Sequence, residues 1–396
     1  LYLQASLMPK AERGELVTKA IDVFPQFVRF PNTLEEVAAL ESIEECWFAR
    51  HLLACFYYNK RSYGKAIALW QRCVEMSPEF ADGWRGLAIH AWNKQHDYEL
   101  AARYLDNAYQ LAPQDARLLF ERDLLDKLSG ATPEKRLARL ENNLEIALKR
   151  DDMTAELLNL WHLTGHADKA ADILATRKFH PWEGGEGKIT SQFILNQLLR
   201  AWQHLDAREP QQASELLHAA LHYPENLSEG RLPGQTDNDI WFWQAICANA
   251  QGDQTEAMRC LRLAATGDRT INIHSYYNDQ PVDYLFWQGM ALRLLGEQQT
   301  AQQLFSEMKQ WAQEMAKTSI EADFFAVSQP DLLSLYGDLQ QQHKEKCLMV
   351  AMLASAGLGE VAQYESARAE LTAINPAWPK AALFTTVMPF IFNYVH

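Results

Sequence analysis

Apolar residues recur along this chain at intervals of three, four and seven, the spacing that gathers side chains on one face of a helix, and glycine or proline separates successive stretches. Ala66, Trp70 and Cys73 form one such stripe, ended by Pro78. Ala101, Leu105 and Ala108 form the next, ended by Pro113. The two stretches superimpose at offset 35, Tyr63 falling on Tyr98, while the helices that precede them superimpose at offset 34, with Arg50, Leu53 and Ala54 facing Trp84, Leu87 and Ala88. One residue is therefore inserted in the second turn. Small Ala66 and Ala101 let neighbouring helices approach, the large residue on the following turn fills the remaining space, and proline reverses the chain into the next pair. The pattern predicts helical hairpins that nest side by side.

A repeat of about this length, built from helix, turn and helix, resembles the tetratricopeptide (TPR) motif, most closely over residues 46 to 113. Weaker units follow at Gly165 to Leu174, Ile240 to Ala265, Gly289 to Met308 and Leu348 to Pro376. Ala116 to Lys149 reads as two amphipathic helices broken at Gly130 and Pro133, and further helices are expected near Ser191 to Leu205 and Gln211 to Leu221. No stretch alternates as a strand would. The expected fold is all-α, a right-handed α-solenoid of TPR-like hairpins with long inserted loops. Its organisation reads as a helical lead-in over 1–45 with turns at Pro25 and Pro31, two well-matched repeats over 46–113, degenerate hairpins over 114–237 with insertions at 179–188 and 223–237, TPR-like repeats over 238–376, and an apolar docking tail over 377–396.

Composition narrows the function classes. With 48% hydrophobic and 22% charged residues, and only 18 Gly and 15 Pro, the chain is globular rather than disordered or fibrous. A formal charge of −14 without a basic patch argues against nucleic acid and anionic lipid as partners. The apolar stretch from Phe384 to Val395 is too short to span a bilayer and carries Pro389. Six cysteines inside helical patterns, with no C-x-x-C pair, read as reduced core thiols. No signal peptide is visible, and the reading of the cysteines as reduced thiols leads to the expectation of a cytoplasmic protein.

Chemistry is expected in the loops, because helix faces are committed to packing. The segment Phe179 to Lys188 holds three glycines together with His180, Trp182, Glu183, Glu186 and Lys188. It serves either as a structured loop, with Trp182 plugging a gap and the carboxylates capping helix amides, or as a site for a ligand or partner. A second loop, Tyr223 to Gly234, adds Glu225 and Asn226, and a third runs from Asp268 to Asp283 with His274, Tyr276 and Tyr277. Consecutive inserts on one edge of a solenoid would converge. Neither a P-loop nor a dinucleotide fingerprint is present, no serine elbow exists, and no cofactor is expected. His162 with His166 and His218 with His222 have metal-compatible spacing, but each lacks the intervening Glu and a third ligand, so they read as solvent-facing or turn histidines. Trp70, Trp84, Trp92, Trp241 and Trp287 fall on helical stripes and are expected in the core.

The combination FHPWEGGEGK (179–188), YPENL (223–227) and FAVSQPDLL (325–333) is similar to the C-terminal part of a family of large bacterial proteins, the YphG-like proteins, and the resemblance extends over nearly the whole chain. It implies an aldose-epimerase-like β-sandwich domain ahead of the TPR array and a sugar-related context, but no reaction and no catalytic residues. The leading expectation is a non-catalytic scaffold that binds a protein segment, or packs against a domain of the same polypeptide, with self-association through the tail as a weaker reading. The rival is the accessory half of a carbohydrate-active enzyme, with Glu183, Glu186 and His180 completing a pocket and Trp182 serving as sugar platform.

Overall fold

The computed structural model describes residues 1–23, 30–271, 280–321 and 333–394; Pro25, residues 272–279 and residues 322–332 lie outside the described residues, and with them His274, Tyr276, Tyr277 and most of the 325–333 motif. The described residues form 21 α-helices and no strand. They divide into two compact units, one of the described residues of 1–129 with 333–337, the other of the described residues of 130–321 with 338–394.

The first unit contains α1 (Tyr2–Ser6), α2 (Gly14–Asp22), α3 (Leu34–Glu41), α4 (Trp47–Asn59), α5 (Tyr63–Met76), α6 (Ala81–His90), α7 (Tyr98–Leu111) and α8 (Ala116–Leu128). Helix α4 pairs with α5 and α6 with α7, and α5 packs on α6, so the two expected hairpins are adjacent and nested. Their contact surface shows why small residues are needed: Ala66 and Ala101 are fully buried, and a methyl group built on Gly86 would come within 2.3 Å of the Trp70 ring. Replacing Ala66 or Ala101 by leucine is expected to cost roughly 1 to 3 kcal/mol through forced separation of helices, read as a lower thermal midpoint. An unchanged midpoint would mean that these alanines do not set the spacing. Arg122 is buried between Asp106 and Asp126, at 2.7 Å from each, which ties α8 to α7.

The second unit contains α9 (Pro133–Glu141), α10 (Leu144–Ala147), α11 (Asp151–Leu163), α12 (Ala167–Thr176), α13 (Lys188–Asp206), α14 (Pro210–Ala220), α15 (Asn238–Ala250), α16 (Gln254–Ala264), α17 (Asp283–Leu294), α18 (Gln298–Met315), α19 (Leu339–Leu358), α20 (Val361–Ile374) and α21 (Ala381–Tyr394). The stretch from 116 to 149 thus holds a third, short helix beyond the two read from periodicity. Hairpins α13/α14, α15/α16, α17/α18 and α19/α20 follow one another, and the first helices of successive pairs, α15, α17 and α19, touch. This is the nesting that small residues at regular intervals require. The apolar segment expected as a docking tail forms α21, whose Phe384, Val387, Met388 and Ile391 are buried in the large core of this same unit, with Trp202 packed on Phe390. Lys380, just ahead of α21, reaches Asp239 and Asp283 in the first turns of α15 and α17. All six cysteines are free and buried, and no described helix is long and apolar enough to cross a membrane.

Candidate functional site

Two of the three loops singled out from sequence lie against each other. The Phe179 amide donates to the Asn226 carbonyl at 2.8 Å, and the Ser228 hydroxyl donates to the Phe179 carbonyl at 2.7 Å. Asn226 does more, its side-chain amide donating to the Leu174 and Arg177 carbonyls at 2.8 and 2.7 Å, which satisfies acceptors that the end of α12 leaves unpaired. Helix α13 begins after Gly187 in the left-handed region, and the carboxylate that accepts from the Gly187 amide and the Thr190 hydroxyl is Glu229. The capping role anticipated for Glu183 or Glu186 is thus taken by a residue of the partner loop. Glu183, Glu186, Lys188 and Glu225 are exposed. Trp182 is half-buried and turned onto its own loop, where a methyl group on Gly185 would overlap its ring at 1.9 Å. His180 leaves its ring 74% exposed beside Asp151, which also accepts from the His180 amide and pairs with Arg177.

The histidine pairs part company. His166, His218 and His222 are exposed, whereas His162, expected at the surface, is 3% exposed: its Nδ1 donates to Gln192 at 2.9 Å and its Nε2 accepts from Asn196 at 3.1 Å. A helical stripe cannot reveal this, because both partners come from α13. Burial pushes His162 down to about 4, and does the same to His51 in α4. Both rings are therefore neutral when folded and protonate more readily when unfolded, so stability is complete above about pH 6.5 and falls as pH drops toward 4, by about 1.4 kcal/mol per unit for each group. Thermal melts between pH 7 and 4 check this, and His162→Gln is expected to flatten part of the slope. Among the described residues no three His, Cys, Asp or Glu side chains group to hold a metal.

The better-defined site lies in the first unit and was not anticipated. The residue inserted in the turn of the second repeat is absorbed by a π-helical turn, Ala91–Gln95, that prolongs α6. The left-handed residues that end the two first helices, Arg61 and His96, correspond to each other at offset 35, which leaves Gln95 as the extra residue. Single π turns inside α-helices are frequent at functional sites. This one carries Trp92 and Asn93. Asn93 accepts from the Tyr336 amide at 3.0 Å and donates to the Ser334 carbonyl at 2.7 Å, Trp92 donates from its indole to the Tyr336 carbonyl at 2.8 Å, and Arg85 donates to the Leu333 carbonyl at 2.6 Å. All four bonds go to main chain. The amide and carbonyl that Asn93 reads belong to residues two apart, so this one side chain holds the main chain at two points.

Tyr58, 3.4 Å from the Asn93 amide, is fully buried, and burial pushes its hydroxyl pKa up. Arg85 is held in place by a bidentate ion pair with the buried Glu121. Between the two residues that Asn93 clasps, Leu335 is 7% exposed and belongs to the same apolar cluster as Tyr58, Trp70, Leu87 and Ala88. The site combines polar clamps for a peptide backbone with an apolar seat that takes Leu335, Leu333 packing beside it. Trp92, expected in the core, is half-buried because its indole N–H faces that backbone. One sequence signal existed: Asn59 and Asn93 recur at offset 34 at the ends of otherwise apolar helices.

The hairpins are tetratricopeptide-like. No family model matches the chain. It is similar to YrrB, described as a TPR protein with an unusual peptide-binding site, at 13% identity over 58% of this chain and 90% of that one, with a TM-score of 0.31. It is also similar to a chain of the Naa15/Naa10 complex bound to HypK-THB, at 14% identity over 97% of this chain and 55% of that one, with a TM-score of 0.40. A third likeness is to the TPR domain of P58(IPK), at 13% identity over 86% of each chain, with a TM-score of 0.26.

Proposed function

We propose that this chain is a protein-binding scaffold whose α4 to α7 hairpins hold an extended protein segment by its backbone. The observation that carries the reading is the clamp of Asn93, Trp92 and Arg85 on the main chain of residues 333–336. Main-chain bonds supply affinity with little demand on sequence, and the seat filled by Leu335 supplies selectivity for an apolar side chain. The partner is a separate protein or, following the resemblance to YphG-like proteins, another domain of the same polypeptide in a sugar-related setting.

Within this proposal the exposed His180, Glu183, Glu186, Lys188 and Glu225, with Trp182, form a secondary contact surface, while Asn226 keeps its loop in shape. The test is binding of a library of short extended peptides with leucine at varied positions, measured by fluorescence anisotropy. Asn93→Ala removes two hydrogen bonds of about 1 kcal/mol each, so affinity for the best peptide is expected to fall roughly 10- to 30-fold. Unaltered affinity would reject the groove as the binding surface. Loss of binding on Trp182→Ala with Glu183→Ala, at full helicity, would bring the loop into the site.

A further inference from the structure

We infer that residues 333–336 are an internal ligand that covers the groove and competes with any partner for it, an inference that rests on the groove reading above. The segment is neither helix nor strand partner to anything else described: it lies between α18 and α19 in the chain, yet it belongs to the first unit while those two helices belong to the second. Its attachments are of the kind a foreign peptide would make. Three side chains of α6 and its π turn contact its backbone, and Leu335 enters the apolar cluster with Leu333 packed against it. Tyr336, by contrast, is 39% exposed. A covalently tethered segment acts at an effective concentration in the millimolar range, so a few such contacts suffice to hold it in place against free peptides. The partner it mimics is an extended segment bearing a leucine flanked by a small residue and an aromatic one. Occupancy in cis then sets a threshold: only a partner with added contacts, or present at high local concentration, displaces the cover.

The probe is a fluorescein-labelled peptide with the sequence of residues 333–338, titrated into the full chain by anisotropy. The intact chain is expected to bind it weakly, and Leu335→Asp, which expels the cover, to bind it at least 10-fold more tightly. Tyr336→Pro keeps Leu335 and removes the amide from which Asn93 accepts, together with the Tyr336 side chain, so it is expected to tighten binding severalfold even if Leu335→Asp disturbs folding. A second readout is hydrogen exchange at the Tyr336 amide, slow in the intact chain and accelerated by saturating peptide. Equal affinity of the intact chain and both cover variants, with Asn93→Ala still weakening the peptide, overturns the internal ligand and leaves the groove reading standing. Binding to the Leu335→Asp, Asn93→Ala double variant as tight as to Leu335→Asp alone overturns the groove reading itself.

Discussion

Lys380→Met is expected to destabilise the second unit by about 3 to 5 kcal/mol, the range for removing one partner of a buried ion pair. The ammonium lies 2.6 Å from Asp283 and 3.0 Å from Asp239, with the side chains of the lysine and the two aspartates 19%, 8% and 0% exposed. Burial alone would lower the lysine, but the two carboxylates override it and hold Lys380 well above its ordinary value; the same burial pushes Asp283 up. Methionine keeps most of the volume and removes the charge, leaving two carboxylates facing each other out of water. A thermal midpoint lower by on the order of 10 °C is the expected reading. Two features separate this cause from lost packing. The deficit is expected to shrink as pH falls toward 4 and one carboxylate takes a proton, and Asp239→Asn with Asp283→Asn in the same chain is expected to restore much of the loss. A deficit independent of pH would assign the effect to packing instead.

The second large effect is expected at Phe305. Its ring lies fully buried between two glycines on different helices: a methyl group on Gly289 of α17 or on Gly357 of α19 would each come within 2.3 Å of it. The guanidinium of Arg293 sits 5.7 Å over the ring and donates to the Gly357 carbonyl at 2.6 Å. Phe305→Ala would leave a cavity that three helices cannot close, at about 3 to 5 kcal/mol. Gly357→Val is expected to be comparably harmful for the opposite reason, since the helix backbone would have to withdraw from the ring. If the contact is as tight as the distances say, Phe305→Leu should partly rescue Gly357→Ala, measured as a non-additive change in urea midpoint. Strictly additive losses would show that the ring and the glycine do not meet.

How much of this was legible in the residues alone differs by element. Gly289 and Phe305 were visible as repeat positions, because a hairpin brings residues of modest separation together and its small and large members recur at helical intervals. The 179–188 loop was visible as an interruption, whereas its proximity to 223–237 was legible only on the condition that the solenoid places consecutive inserts on one edge. The assignment of roles inside it was not visible: the cap of α13 comes from Glu229, and Asn226 is spent on the carbonyls of Leu174 and Arg177. Any of several carboxylates could cap one amide, and only the path of the backbone selects among them. His162 looked like a surface residue because its partners, Gln192 and Asn196, lie on the face of another helix.

By itself the sequence determined an all-helical chain of TPR-like hairpins, since helix period, alanine positions and proline stops act within a few turns and need no distant partner. It also recorded the residue inserted in the turn of the second repeat, though not that a π turn would absorb it and present Asn93. Tertiary structure alone decided that residues 333–336 lie in the groove, across sequence separations of 241 to 248 from Asn93, Trp92 and Arg85, and that Lys380 answers two aspartates 97 and 141 residues away. Backbone hydrogen bonds and buried ion pairs carry no period along a chain. They are chosen by which surfaces the packed hairpins leave facing each other.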